Sequence, residues 1–159
     1  MDIRTGLGYD IHRLKEGNHL LLGGVLVPGT VAIDAHSDGD IVLHALSQAI
    51  FSSLGLEDIG SYFPDNLQST LNLDSKKILS LALEKMNEKG YQLGNVTVAV
   101  ILQRPKLKDY KRLIKSSLSH LLSLDEDRIA VHANTKEGVG EVGEGKAIEV
   151  LAEVLIKKD

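Results

Sequence analysis

Ala147-Ile148-Glu149-Val150-Leu151-Ala152-Glu153-Val154-Leu155-Ile156-Lys157 has two readings, and the choice between them sets the fold class. Its Ala, Glu, Leu and Lys content favours a helix. Its apolar residues, however, fall at Ile148, Val150, Ala152, Val154 and Ile156. That strict alternation is the period of a strand, and it decides the reading. Working back from it, Arg128 to Ala133 is a further strand. Val96 to Leu102 is a short continuous apolar run rich in β-branched residues, which suits a buried strand. A helix from about Asp109 to Leu122 separates the two. The order of elements becomes β, hairpin, α, α, β, α, β, β. This is an α+β architecture, a mixed β-sheet with helices packed on one face.

The first half supplies the rest. Ile3 to Leu14 reads as a strand in which Gly6 and Gly8 mark a bulge or a close backbone approach. Lys15-Glu16-Gly17-Asn18 reads as a turn. His19 to Leu22 and Val25 to Val27 form a hairpin across Gly23-Gly24, broken by Pro28-Gly29. The polar stretch Ala35-His36-Ser37-Asp38-Gly39-Asp40 then leads into a helix from Ile41 to about Leu54. Asp40 is its N-cap and Gly55 its C′ residue. Ile41, Ala45, Leu46, Ala49 and Ile50 give that helix a core-facing side. A long connection follows, with Asp58, Asp65, Tyr62 and Phe63. Asp74 or Ser75 then caps a helix from about Lys76 to Lys89, ended by Gly90, with Ile78, Leu79, Ala82, Leu83 and Met86 inward.

Composition narrows the function. The chain has 159 residues, 43% apolar and 25% charged, which fits a single domain over residues 1–159 with a real core. The net charge of −4 disfavours a nucleic-acid partner. There is no cysteine, so a transition metal must be held by histidine and carboxylate. Met1-Asp2-Ile3-Arg4-Thr5-Gly6 has no apolar signal core, and no run is long enough to span a bilayer. The expectation is a cytoplasmic protein with no membrane partner, a processed organelle form reading the same way.

Chemistry concentrates in two places. Asp10 and His12 are i and i+2 on a strand and so share a face. With His44, one turn into the helix, they make a metal set with an open position, the type found in catalytic zinc sites. His36, Asp38 and Asp40 lie close in sequence and are expected to orient ligands or substrate. The start of the helix is expected to favour an anion. No serine or cysteine nucleophile set is apparent. Hydrolysis, phosphoryl transfer and elimination all remain open. Two further motifs mislead. Gly138-Val139-Gly140-Glu141-Val142-Gly143 fits G-x-G-x-x-G, and Gly140 to Lys146 fits the start of a P-loop. Ala147 follows where a P-loop needs Ser or Thr, and Glu141 and Glu144 would charge the cradle negatively. A dinucleotide site needs a further helix and strand, but only sixteen or so residues follow. The segment reads as a flexible turn between strands.

Gly8-Tyr9-Asp10-Ile11-His12, Leu22-Gly23-Gly24-Val25, Ala35-His36-Ser37-Asp38-Gly39-Asp40 and His44-Ala45 resemble the 2-C-methyl-D-erythritol 2,4-cyclodiphosphate synthase family. So do Asp58-Ile59-Gly60, Phe63-Pro64-Asp65, Lys89-Gly90-Tyr91, Gly94-Asn95-Val96 and Pro105-Lys106. The resemblance runs nearly end to end and is most specific down to Lys106. It implies a ferredoxin-like fold and a homotrimer with active sites between subunits. It also implies the closure of a cytidine-diphosphate-linked methylerythritol 2-phosphate into a cyclic diphosphate, with release of CMP, in the non-mevalonate route to isoprenoids. By this resemblance Asp10, His12 and His44 hold Zn²⁺, and Glu137 holds a second ion, Mg²⁺ or Mn²⁺. His36, Thr135 and Glu137 are the catalytic residues. His36, Ser37, Asp58, Gly60 and Asp65 bind substrate. Leu102, Pro105, Lys106, Leu107, Ala133, Asn134 and Thr135 form the cytidine pocket.

The chain departs from the family in three places. Asn134-Thr135-Lys136-Glu137 stands for Thr-Thr-Thr-Glu. Asn66-Leu67 replaces the second aspartate of an Asp-x-Asp pattern. The Gly-Phe-x-Gly-Arg segment is shortened to Gly140-Glu141-Val142-Gly143, which implies loss of isoprenoid-diphosphate binding on the trimer axis. Two other readings share the metal set: a zinc-dependent phosphoesterase that uses water as nucleophile, and a non-catalytic trimeric metal-binding scaffold.

Overall fold

A computed structural model describes all 159 residues. In chain order the strands are β1 (Asp2–Glu16), β2 (His19–Leu22), β3 (Val25–Pro28), β4 (Val31–Ile33), β5 (Gln92–Ile101), β6 (Ile129–Asn134) and β7 (Ala147–Lys158). The helices are α1 (Ile41–Ser53), α2 (Ile59–Tyr62), α3 (Ser75–Glu88), α4 (Lys111–Leu122) and α5 (Gly140–Gly143). Short 3₁₀ turns cover Gln68–Thr70 and Glu126–Arg128.

The ambiguous last segment is a strand, and it is the spine of the sheet. The strand order is β4-β1-β7-β5-β6, with β5 and β6 parallel and the other pairs antiparallel. β7 pairs with β1 from Asp2↔Lys158 to Arg13↔Ala147 and with β5 along its other edge. Central strands lose both edges to neighbours, so only side-chain pattern is left to set the register. Ile148, Val150, Ala152, Val154 and Ile156 all point into the core. Each of the larger ones is worth roughly 1.5–3 kcal/mol of burial. A one-residue slip would bring Glu149 and Glu153 inward instead.

The helices lie on that inward face. α1 rests on β1 and β7, α3 packs against α1, and α4 packs against β6. On the opposite face β1 presents Ile3, Leu7, Tyr9 and Ile11, which are 55%, 59%, 50% and 45% exposed. An antiparallel sheet with a wet face ordinarily carries polar residues there. This one does not along β1.

The hairpin β2–β3 forms its own two-stranded sheet across the expected Gly23-Gly24 turn. It is fastened to the start of α1 by one residue. Asp40 caps Leu43 N–H at 3.1 Å and accepts from Gly23 N–H and Gly24 N–H at 2.8 and 2.7 Å. The carboxyl group is fully buried. Burial pushes its pKa up to about 6, against the pull of those three backbone donors.

Three sequence expectations are corrected. Lys15 and Glu16 are not a turn; they continue β1 and pair with Ala32 and Val31 of β4, a three-residue edge strand too short to leave a pattern. The connection after α1 contains the one-turn helix α2. The glycine-rich 138–143 stretch holds the helical turn α5 rather than a bare turn.

Candidate active site

Two glycines position the metal ligands. A Cβ on Gly8 would collide with the Ala45 carbonyl, and one on Gly6 with the Ala49 carbonyl. With no side chain at either place, α1 lies directly on β1. The register then carries Asp10 and His12 to the level of His44. Along α1 only His44, Gln48 and Ser52 escape full burial, at i, i+4 and i+8. They form the one stripe not facing the core.

Asp10 Oδ2 lies 3.4 Å from His12 Nδ1 and 3.5 Å from His44 Nδ1. The three prospective ligand atoms fall within 4.8 Å of one another. Despite its distance to Asp10, His12 Nδ1 is buried outside hydrogen-bonding geometry and has no partner. Buried polar atoms are rarely left so, and a cation between the three groups would satisfy this one. The donor set of one carboxylate and two imidazoles fits a divalent metal ion with an open position. Ser37 Oγ lies 3.2 Å from His44 Nε2. With a metal ion on Nδ1, the ring proton sits on Nε2, where Ser37 Oγ is placed to accept it.

Around the triad is a cavity of about 350 Å³. His36, Ser37, Asp58, Gly60 and Asp65, expected to meet substrate, all line it beside Asp10, His12 and His44. The expected cytidine-side residues gather elsewhere. Leu102, Pro105, Lys106, Leu107, Ala133, Asn134 and Thr135 line a separate cavity of about 210 Å³, with Lys108 and Lys111. The two cavities share no lining residue. Glu137 lines neither; Thr135 Oγ1 donates to its carboxylate at 3.2 Å. Lys136 pairs with Glu149 at 3.1 Å.

Two expectations fail here. The start of α1 does not offer amides to an anion. Asp40 closes it, and Ile41, Val42 and Leu43 are buried. Asp38 and Asp40 do not orient the metal ligands through their side chains either. Asp38 accepts from the Ser75 backbone and hydroxyl and from Asp40 N–H, so it pins the 35–40 loop to the start of α3. The doubts about the 138–146 glycines hold. The amides of Gly143, Glu144, Gly145 and Lys146 are all bonded within the segment, leaving no phosphate cradle.

Two cavity residues went unnoticed in the sequence. Gln48 accepts from Ile59 N–H at 3.0 Å and holds the Asp58–Gly60 stretch against α1. Its i+4 spacing from His44 was the available signal. Thr70 contacts His36 across 34 residues of sequence, and no local pattern announces that.

Comparison with known proteins agrees with this geometry. Residues 3–157 match the model of the YgbB family. A 2-C-methyl-D-erythritol 2,4-cyclodiphosphate synthase of Solibacter usitatus is 43% identical over 157 residues, 99% of each chain. The bifunctional IspDF of Campylobacter jejuni superposes with a TM-score of 0.94 at 41% identity; 99% of this chain corresponds to 43% of that longer one. A Plasmodium falciparum IspF solved as a CDP complex gives a TM-score of 0.87 at 39% identity, over 99% of this chain and 97% of that one.

Proposed function

The chain belongs to the YgbB family, that of the 2-C-methyl-D-erythritol 2,4-cyclodiphosphate synthases, and from this we infer that it is a cyclising, CMP-releasing phosphorus–oxygen lyase of isoprenoid biosynthesis. It converts 4-diphosphocytidyl-2-C-methyl-D-erythritol 2-phosphate to 2-C-methyl-D-erythritol 2,4-cyclodiphosphate. The observation that carries the reading is the Asp10–His12–His44 triad set in the wall of the cavity that His36, Ser37, Asp58, Gly60 and Asp65 complete.

In this reaction an oxygen of the substrate's 2-phosphate attacks the β-phosphorus. The bond from that phosphorus to the bridging oxygen breaks, and CMP leaves with the α-phosphate. Nucleophile and electrophile belong to one molecule, so the protein's task is positioning and charge neutralisation. That agrees with the lack of a serine or cysteine nucleophile. Asp10, His12 and His44 would hold Zn²⁺, and Glu137 the second ion, Mg²⁺ or Mn²⁺. Such cations, when bound, offset the negative charge of phosphates drawn together. His36 and Ser37 lie beside the triad, where they would meet the phosphate and erythritol part. Asp58 and Gly60, steadied by Gln48, would take the ribose, and Asp65 the erythritol hydroxyls. Lys106 and the backbone around Pro105, Leu107 and Ala133–Thr135 would take the cytosine end.

A homotrimer with sites between subunits would reconcile the two cavities. Support comes from their separation within one chain and from the uncovered apolar face of β1. The test is incubation with the cytidine-linked substrate, Zn²⁺ and Mg²⁺, followed by ³¹P NMR. Equal release of CMP and cyclic diphosphate is expected. CMP with only an acyclic product would mean that water is the nucleophile and the protein a phosphoesterase. Bound metal without turnover would make it a scaffold.

A further inference from the structure

Thr70 ends the 3₁₀ turn Gln68–Thr70 and is 7% exposed. Its hydroxyl oxygen has three polar neighbours: the carbonyls of Pro64 and Leu67, both at 2.7 Å, and His36 Nε2 at 3.3 Å. A threonine hydroxyl carries one proton. The two carbonyls can only accept, so that proton is directed to them. Toward His36 the oxygen is left with a lone pair. The contact is then a hydrogen bond only if Nε2 carries the proton, which leaves Nδ1 as the ring atom free to face a ligand in the cavity that His36 lines.

The backbone around this contact is equally fixed. Asn72 N–H donates to the His36 carbonyl at 2.9 Å, and Asp38 N–H donates to the Leu73 carbonyl at 3.0 Å. Segments 35–40 and 64–75 are therefore zipped into one unit, with Thr70 its side-chain link to the imidazole. We propose that Thr70 is a positioning residue that sets the tautomer and orientation of His36 and couples them to the 64–70 loop carrying Asp65. The proposal rests on the cyclase reading only for its effect on turnover, because the tautomer is a property of the substrate-free protein.

The experiment is ¹⁵N NMR of histidine-labelled protein above the titration range, with the His36 signals identified by their loss in His36→Gln. Wild type is expected to show a protonated Nε2 and an unprotonated Nδ1. Thr70→Val should lose that bias and reduce kcat about tenfold with KM changed much less, the scale typical of removing an orienting partner. Thr70→Ser should restore both. A wild-type His36 protonated at Nδ1 overturns the proposal without any variant. So does a Thr70→Val protein whose His36 signals are unaltered, or a Thr70→Ser protein no better than Thr70→Val. Wild type inactive on the cytidine-linked substrate, yet with the expected tautomer, would instead count against the cyclase reading alone.

Discussion

Asp40 shows how one side chain can carry a join between two parts of a fold. Its folded pKa of about 6 lies above the ordinary 3.8. The folded protein therefore binds this proton more tightly than the unfolded chain does. The group's contribution to stability is full below about pH 4, declines as pH rises to about 6, and is constant above that. Asp40→Asn retains one acceptor oxygen but sets an amide NH₂ against a donor. A loss of about 1–3 kcal/mol is expected in urea unfolding of metal-free protein. That loss applies at pH 4; by pH 7 the wild type has given up about 3 kcal/mol relative to the variant, enough to cancel it, because only the wild type has this proton to lose. Ser37 acts at the same scale. Ser37→Ala removes the partner of His44 Nε2 and is expected to weaken divalent-metal affinity about tenfold, measured by competition with a chromogenic chelator. Of these residues, Asp40 was legible as an N-cap because a cap is a local pattern. Its bonds to Gly23 and Gly24, some sixteen residues away, were not.

At the scale of the element, strand β1 and helix α1 make the metal site together, and Gly8 governs their spacing. Gly8→Ala must push α1 off the strand or distort both. The expected cost is about 1–3 kcal/mol, as for other overpacked cores, accompanied by loss of metal affinity, since Asp10 and His44 move apart. Calorimetry with and without added Zn²⁺ would separate the two effects: a variant destabilised equally in both conditions would show that helix spacing does not set the site. Long elements with strong periods were readable, and β7 and α1 follow their patterns nearly residue for residue. The three residues of β4, the single turns α2 and α5, and the last two residues of β1 were not. Their pairing partners are distant or their lengths too short for a period to repeat. The metal triad was legible because Asp10 and His12 obey the strand period. The closed N-terminus of α1 was missed because burial of Asp40 depends on a hairpin packed from elsewhere.

Over the whole molecule, the face of the sheet opposite the helices organises what remains. Leu7→Lys places a charge at the centre of the exposed apolar row of β1. If three copies bury that face against one another, light scattering should fall from three times 17.3 kDa to one. Zinc binding should survive, since all three triad residues come from one chain, while turnover should be lost with the shared site. A monomeric wild type would end the trimer reading and require both cavities to serve one substrate within a single chain. The separation of those cavities also bears on inheritance. If the sites are shared between subunits and the second cavity takes the cytosine end, a copy damaged at Asp10 and a copy damaged at Lys106 fail for different reasons, in regions with no residue in common. Mixed within one assembly, they would place an intact metal end beside an intact cytosine end at some boundaries. Two inactive alleles of this gene should therefore rescue one another in part, whereas two lesions on the same copy should not.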